Sequence, residues 1–427
     1  MTAEVAIMNK LGVALAADSA VTLGTGGKIY NSADKLFSLS KFRPVGIMIY
    51  GSANFSSTPW EVLIKDYRHN ILGKKSFRRL EQYADHFINF LRTTKKISRE
   101  CESNFVASMC YTALRHTVEK IKRDTKKVYD AGAHAISASD TKNIVKSRIA
   151  SEKKELEALS YVDNGSQTEI QKLIRVYGSS ITQLITNIFQ NLPLDPADIR
   201  SLRRICALAV YKDRFTTGQT GIVIAGYGNE DIFPSLVCYE MEGRIGRFLK
   251  MKQDLTRSRN ISLKNMSSIG AFAQSEMVAT FMNGIHPEYL QTLDELQTEV
   301  FSRLASILQS LLNGKAPKAK IERLSAHLKS VWPDSKQLLQ QFTRDRLVMP
   351  ILGTVAALPK DELSSMAEAL VSLTSFRRKV TPDAETVGGP IDVLVISKGD
   401  GLVWIKRKHY FDPKLNHHYF SNYYQEC

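Results

Sequence analysis

The chain lacks most of what would mark a secreted, membrane-embedded or metal-built protein. None of its apolar runs is long enough to span a bilayer, and "VGIMIYG" and "GIVIAG" read instead as buried strands. The first residues do not carry the basic-then-apolar pattern of a secretory signal. Cysteine is sparse: Cys101, Cys110, Cys206, Cys238 and Cys427 are scattered without metal-ligand spacing, and an odd number fits a reducing compartment. The histidines, including the adjacent His417 and His418, have no carboxylate or cysteine partners at such spacing. "GYGNED" opens no amphipathic helix, so it is not a dinucleotide fingerprint, and neither a GxSxG elbow nor a P-loop is present. The expectation is a cytoplasmic protein that needs no metal and no cofactor.

Acidic residues are also scarce relative to basic ones: 43 Asp and Glu stand against 58 Lys and Arg, a net charge of +15. Part of the excess lies in "LRHTVEKIKRDTKK", and more in "SLRRI", "TSFRRK" and "WIKRKHY". Such an excess attracts nucleic acid or an acidic partner. It is equally what solvated helix faces leave in a lysine-rich protein. No helix-turn-helix, zinc-finger or aromatic RNA-binding signature accompanies the charge, which favours the solvated-face reading.

What is present is a clear alternation of element types. Apolar alternation begins almost at the first residue (Val5, Ile7, Leu11, Val13, Leu15), which suggests a terminus that is itself used. The first 55 residues read as strands, with the glycines of "GTGGK" marking a hairpin loop. Residues 60–215 read as helical: Phe77, Leu80, Ala84, Phe87, Ile88 and Leu91 share one face, and "AGAHAISASDTKN" interrupts the run. Strands return with "TGIVIAGYGNEDIFPSLVCYEME". Helices resume near 272, with a stripe of Leu293, Leu296, Val300, Leu304, Ile307 and Leu311 that stops at Gly314. The last strand pair is "GGPIDVLVISKGDGLVWIKRK", turning at "KGDG", before an aromatic tail. No repeat and no linker cuts the chain, so residues 1–427 are expected to form one layered α/β domain.

The early terminus raises a chemical question. If Met1 were removed, Thr2 would carry both a hydroxyl and a free α-amine, whose ordinary pKa is about 7.7–8.0. Such an amine can act as the base for its own residue's hydroxyl. The chemistry also asks for a nearby cation, a carboxylate to hold that cation, and a backbone N–H aimed at the oxyanion.

Four segments, in this order, supply those parts. "LAADSAVTLG" places Asp18 before a serine-rich turn, "NSADKLFSL" offers Lys35, "IMIYGSANF" ends a strand at Gly51, and "PDAETVGGPIDVLVISKGDG" places Asp383 and Thr386 before a Gly-Gly pair. Together they resemble the proteasome β-subunit family of N-terminal-nucleophile hydrolases, including its HslV and Anbu branches, with "TVGGPIDVLV" nearest to Anbu. The resemblance covers roughly residues 1–55, 220–272 and 380–406. It implies a four-layer αββα sandwich with helical insertions at about 100–215 and 287–380. It further implies a threonine peptidase or amide hydrolase in which Thr2 is the nucleophile, Lys35 the catalytic cation held by Asp18, and Gly51 the oxyanion donor. Asp383 and Thr386 would orient the terminal amine. Expected partners are a peptide or protein substrate, further copies of the chain, and an unfoldase or other protein. Nucleic acid remains open, and no membrane is expected.

The sequence departs from the family pattern at three places. The loop from Asp18 to Lys35 is one residue longer, which leaves Lys28 as a rival cation. The usual Gly-Ser-Gly turn is matched by "SSIGAFAQSE", where Ala271 follows Gly270 and a hydroxyl is missing. Val387 separates Thr386 from Gly388. Each residue also has a plainer reading: Thr2 with Met1 retained, Asp18 as a turn cap, Lys35 on a surface edge strand, Gly51 and Gly388 for backbone geometry, and Asp383 with Thr386 as a local turn. A non-catalytic scaffold or sensor that binds protein or nucleic acid through its basic insertions is the alternative function.

Overall fold

The computed structural model describes residues 2–23, 28–131, 136–311, 336–381 and 387–425, with four isolated helical positions between 319 and 326. Met1, the glycine loop 24–27, the helix stop expected at Gly314, and Asp383 and Thr386 lie outside the described residues. The chain is mixed α/β with antiparallel sheets. It gathers into two compact units, 1–36 with 231–235 and 259–427, and 37–230 with 236–258. Neither unit is a continuous stretch, which is why no linker is legible along the sequence.

The first unit is built on a sheet whose strands run Ser267–Ala271, Glu4–Asn9, Gly12–Ala17, Asp392–Ser397, Gly401–Lys406 across its width. Every neighbouring pair is antiparallel, with Glu4 opposite Ala17 and Asp392 opposite the same Ala17. The two ends of the chain therefore meet in the middle of one sheet. Side chains alternate across a strand. Ala3, Val5 and Ile7 pack with Ala14, Ala16, Val393 and Val395 beneath Leu363, Ala367, Leu370 and Val371 of the helix Lys360–Val380. Thr2, Glu4, Ala6 and Met8 consequently belong to the opposite face, and all are buried. The segment "SSIGA", expected as part of a turn, is an edge strand that pairs Ala271 with Val5 and Ile269 with Ile7. Its Ile269 and Ala271 join the same apolar layer, and that burial outweighs the small residues' turn preference.

In the second unit the sheet order is Phe248–Gln253, Ser235–Ile245, Thr220–Gly226, Val45–Gly51, Leu36–Ser38. The strand expected from "GIVIAG" lies antiparallel to the one from "VGIMIYG", with Ile47 opposite Ile224 and Gly51 opposite Thr220. One face is covered by Trp60, Leu63, Tyr67, Leu80, Tyr83, Phe87 and Leu91, the apolar stripe of the first helices. A second core forms among the helices Arg99–Asp130, Ala138–Ala158, Gln167–Phe189 and Pro196–Tyr211, from residues such as Leu114, Val145, Ile149, Leu173, Ile181, Leu202 and Ile205. The first helical insertion thus buries its stripes largely against itself. Its basic run is partly neutralised: Lys120 bridges Glu152 at 2.7 Å and Glu155 at 2.8 Å, Lys122 reaches Glu119 at 3.2 Å, and Arg148 grips Asp124. No described helix is long and apolar enough to cross a membrane.

Candidate active site

The geometry around Thr2 is set by Asp18, the residue that follows the second strand. Asp18 N–H donates to the Ala3 carbonyl at 3.1 Å, while its Oδ1 accepts the Ala3 N–H at 3.0 Å. Its Oδ2 accepts from Ala20 N at 3.2 Å and from Gly388 N at 2.9 Å, and its Oδ1 also binds the Lys35 ammonium. One carboxylate therefore clamps the residue after Thr2, holds the cation and ties in the Gly-Gly segment from the other end of the chain. Ser19 completes the stitch by donating its N–H to the Gly388 carbonyl at 3.1 Å and its hydroxyl to the Pro390 carbonyl. Gly389 is required here on two counts. Its φ is +76°, and a Cβ would stand 2.8 Å from that of Asn31.

Thr2 itself is buried, and its carbonyl accepts the Gln274 N–H at 3.1 Å, just past the edge strand. Arg378 in turn holds the Gln274 side chain, Nε to Oε1, at 2.9 Å. Among the described residues the Thr2 hydroxyl closes no hydrogen bond. Lys35 is buried with it, on the same side as a second carboxylate that sequence reasoning did not single out, Glu4. Lys35 Nζ stands 3.4 Å from Glu4 Oε1. Among the described residues neither Glu4 oxygen closes a hydrogen bond, although the side chain is fully buried. Burial pushes the Glu4 carboxyl up to about 7. Lys35 opposes that rise, the neighbouring Asp18 adds to it, and the nearby Thr2 hydroxyl pulls it slightly back. A signal for Glu4 did exist: it is the lone charged residue of a six-residue strand that is buried throughout, two positions from Thr2 on the same face.

The structure thus brings Thr2, Asp18 and Lys35 together and adds Glu4 and Gly388. Gly51 belongs to the second unit, where it ends a strand with φ +82° and a Cβ would meet the Gln219 carbonyl at 2.5 Å, so backbone geometry alone requires glycine there. Among the described residues no group of three or more His, Cys, Asp or Glu side chains gathers as a metal site. No protein-family model matches the chain, and no curated protein is similar to it at a significant level.

Proposed function

We propose that this protein is a threonine-type peptidase or amide hydrolase of the N-terminal-nucleophile kind, with Thr2 exposed by removal of Met1. The observation that carries the reading is the Asp18 clamp, which fixes Ala3 and Lys35 at once beside an unpartnered, buried Thr2 hydroxyl. In this reading the Thr2 Oγ attacks the scissile carbonyl and its proton leaves for a neighbouring base, a role the family resemblance gives to the free amine. Lys35 puts positive charge beside the reacting oxygen, and Asp18 keeps it there. The Gly51 N–H is the proposed oxyanion donor, Asp383 and Thr386 orient the amine, and water resolves the acyl-enzyme. The proposal includes a proteasome-like αββα arrangement in a single domain with helical insertions at about 100–215 and 287–380, a cytoplasmic location, a peptide or protein substrate, and assembly into a homo-oligomer.

The second reading is an inactive proteasome-like scaffold or sensor that binds partners through its basic insertions. Ala271, which occupies the family's hydroxyl position and is committed to a strand ladder, favours it. Two measurements separate the readings. The mass of the N-terminal peptide reports whether Thr2 is free. An epoxyketone, which bridges hydroxyl and amine, is then expected to modify the protein at Thr2 alone. Labelling elsewhere, or none on a free Thr2, removes the enzymatic reading.

A further inference from the structure

Among the described residues of the first unit, the Thr2 hydroxyl, the Glu4 carboxyl and the Ser235 hydroxyl are buried without a hydrogen bond, and the first two are neighbours. Alternation along the strand puts them on the same face, two residues apart. Burying an unpartnered polar atom costs about 1–3 kcal/mol, so two such atoms side by side form a site that something else completes. Lys35 donates to Asp18 and forms an ion pair with Glu4 Oε1 at 3.4 Å, which leaves Glu4 Oε2 without a partner among the described residues. Asp18 is fully occupied in a different way, by Lys35 and three backbone N–H groups. Among the described residues, Glu4 is the carboxylate beside Thr2 that keeps an acceptor oxygen open.

Resting on the reading of Thr2 as the nucleophile, we propose that Glu4 is a catalytic residue, the base that takes the Thr2 hydroxyl proton in place of the terminal amine. As the Thr2 Oγ forms its bond to the substrate carbonyl carbon, the Oγ–H proton moves to a Glu4 carboxylate oxygen. As the carbonyl bond to the leaving group breaks, Glu4 returns that proton to the departing nitrogen or oxygen. The positive charge of Lys35 stabilises negative charge on either side of the transfer. Among the described residues the charged groups facing Glu4 are Lys35 and Asp18, one of each sign. A general base works best with a pKa near the working pH, and its removal typically costs about 10²–10⁴ in rate. Burial holds Glu4 in that range. Apo geometry that stops short of a hydrogen bond is usual for such pairs, which close only around substrate.

The test follows acylation of the Met1-processed protein by a β-lactone, measured by intact mass from pH 5 to 9. In that reaction the Thr2 Oγ bonds to the lactone carbonyl, the ring carbon–oxygen bond opens, and the released oxygen takes the proton back. Wild type is expected to react at Thr2 with a rate that rises through neutral pH. Thr2→Ala is expected not to react, and Glu4→Gln to react about 100-fold more slowly or worse, without the rise. A second measurement needs no variant: protein acetylated on the terminal amine is expected to keep its reactivity. Full reactivity and an unchanged pH profile in Glu4→Gln, or loss on amine acetylation, overturns the role of Glu4 and returns the proton to the amine while Thr2 stands. Equal labelling of wild type and Thr2→Ala, or no labelling of either, overturns the Thr2 reading itself.

Discussion

At the residue scale, Glu4 carries a consequence for stability that is independent of any activity. Its ordinary carboxyl pKa of about 4.3 in an unfolded chain is raised to about 7 in the fold, chiefly by burial. Between those two values the folded state binds more protons than the unfolded one. Stability from this group is therefore fully present at low pH and is lost as pH rises through the folded value. The shift corresponds to about 3 kcal/mol between pH 4 and pH 8. Glu4→Gln, which carries no charge to bury, is expected to be more stable than wild type at pH 8 and similar at pH 5. Urea titrations at the two pH values check this, and a variant less stable at both would show that Glu4 makes a favourable structural contact instead. That Thr2, Asp18 and Lys35 come together was legible in the sequence, through the order of the segments and their family resemblance. Glu4 was not, because a lone acid in an apolar strand acquires meaning only when its face and its neighbours are known.

At the element scale, periodicity located the long helices and the buried strands, but local chemistry decided their ends. "AGAHAISASDTKN" reads as an interruption, yet helix resumes inside it at Ala138, with the Ser137 hydroxyl accepting the Asp140 N–H at 3.0 Å. Helix stops were harder to read. The helix Gln167–Phe189 ends at Gln190, whose φ of 40° and ψ of −105° lie where only glycine is comfortable. Its exposed side chain shows no compensating hydrogen bond among the described residues. Gln190→Gly is accordingly expected to stabilise the protein by about 1 kcal/mol, because relief of left-handed strain outweighs the added chain entropy of glycine. A thermal melt reads it directly. An unchanged or lower midpoint would mean that the Gln190 side chain holds the helix end in a way the backbone angles do not convey.

At the scale of the whole molecule, the open question is what covers the helix Pro287–Leu311. Leu296, Val300, Leu304 and Ile307 recur every three or four residues along it, and each is between 38% and 52% exposed. That is one side of the stripe visible in the sequence, and such a row of half-buried apolar groups is characteristic of a contact surface. The proposed homo-oligomer gives the row an occupant of matching chemistry, the same row on a second copy. Full burial would return about 1 kcal/mol per residue, or about 8 kcal/mol over both copies of a two-fold contact. Association itself costs about 4–15 kcal/mol, so the stripe alone supports an assembly that loosens on dilution rather than a permanent one. The basic excess acts in the same direction, since like-charged copies repel over the Debye length, and added salt is expected to tighten the assembly. Native mass spectrometry at micromolar concentration is expected to find an oligomer other than a sealed, stacked double ring. The double variant Leu296→Glu with Val300→Glu is expected to shift it to smaller species while leaving the melting temperature within a few degrees of wild type. A wild type that is strictly monomeric at that concentration, or an oligomer indifferent to both charges, would place the contact elsewhere or remove it altogether.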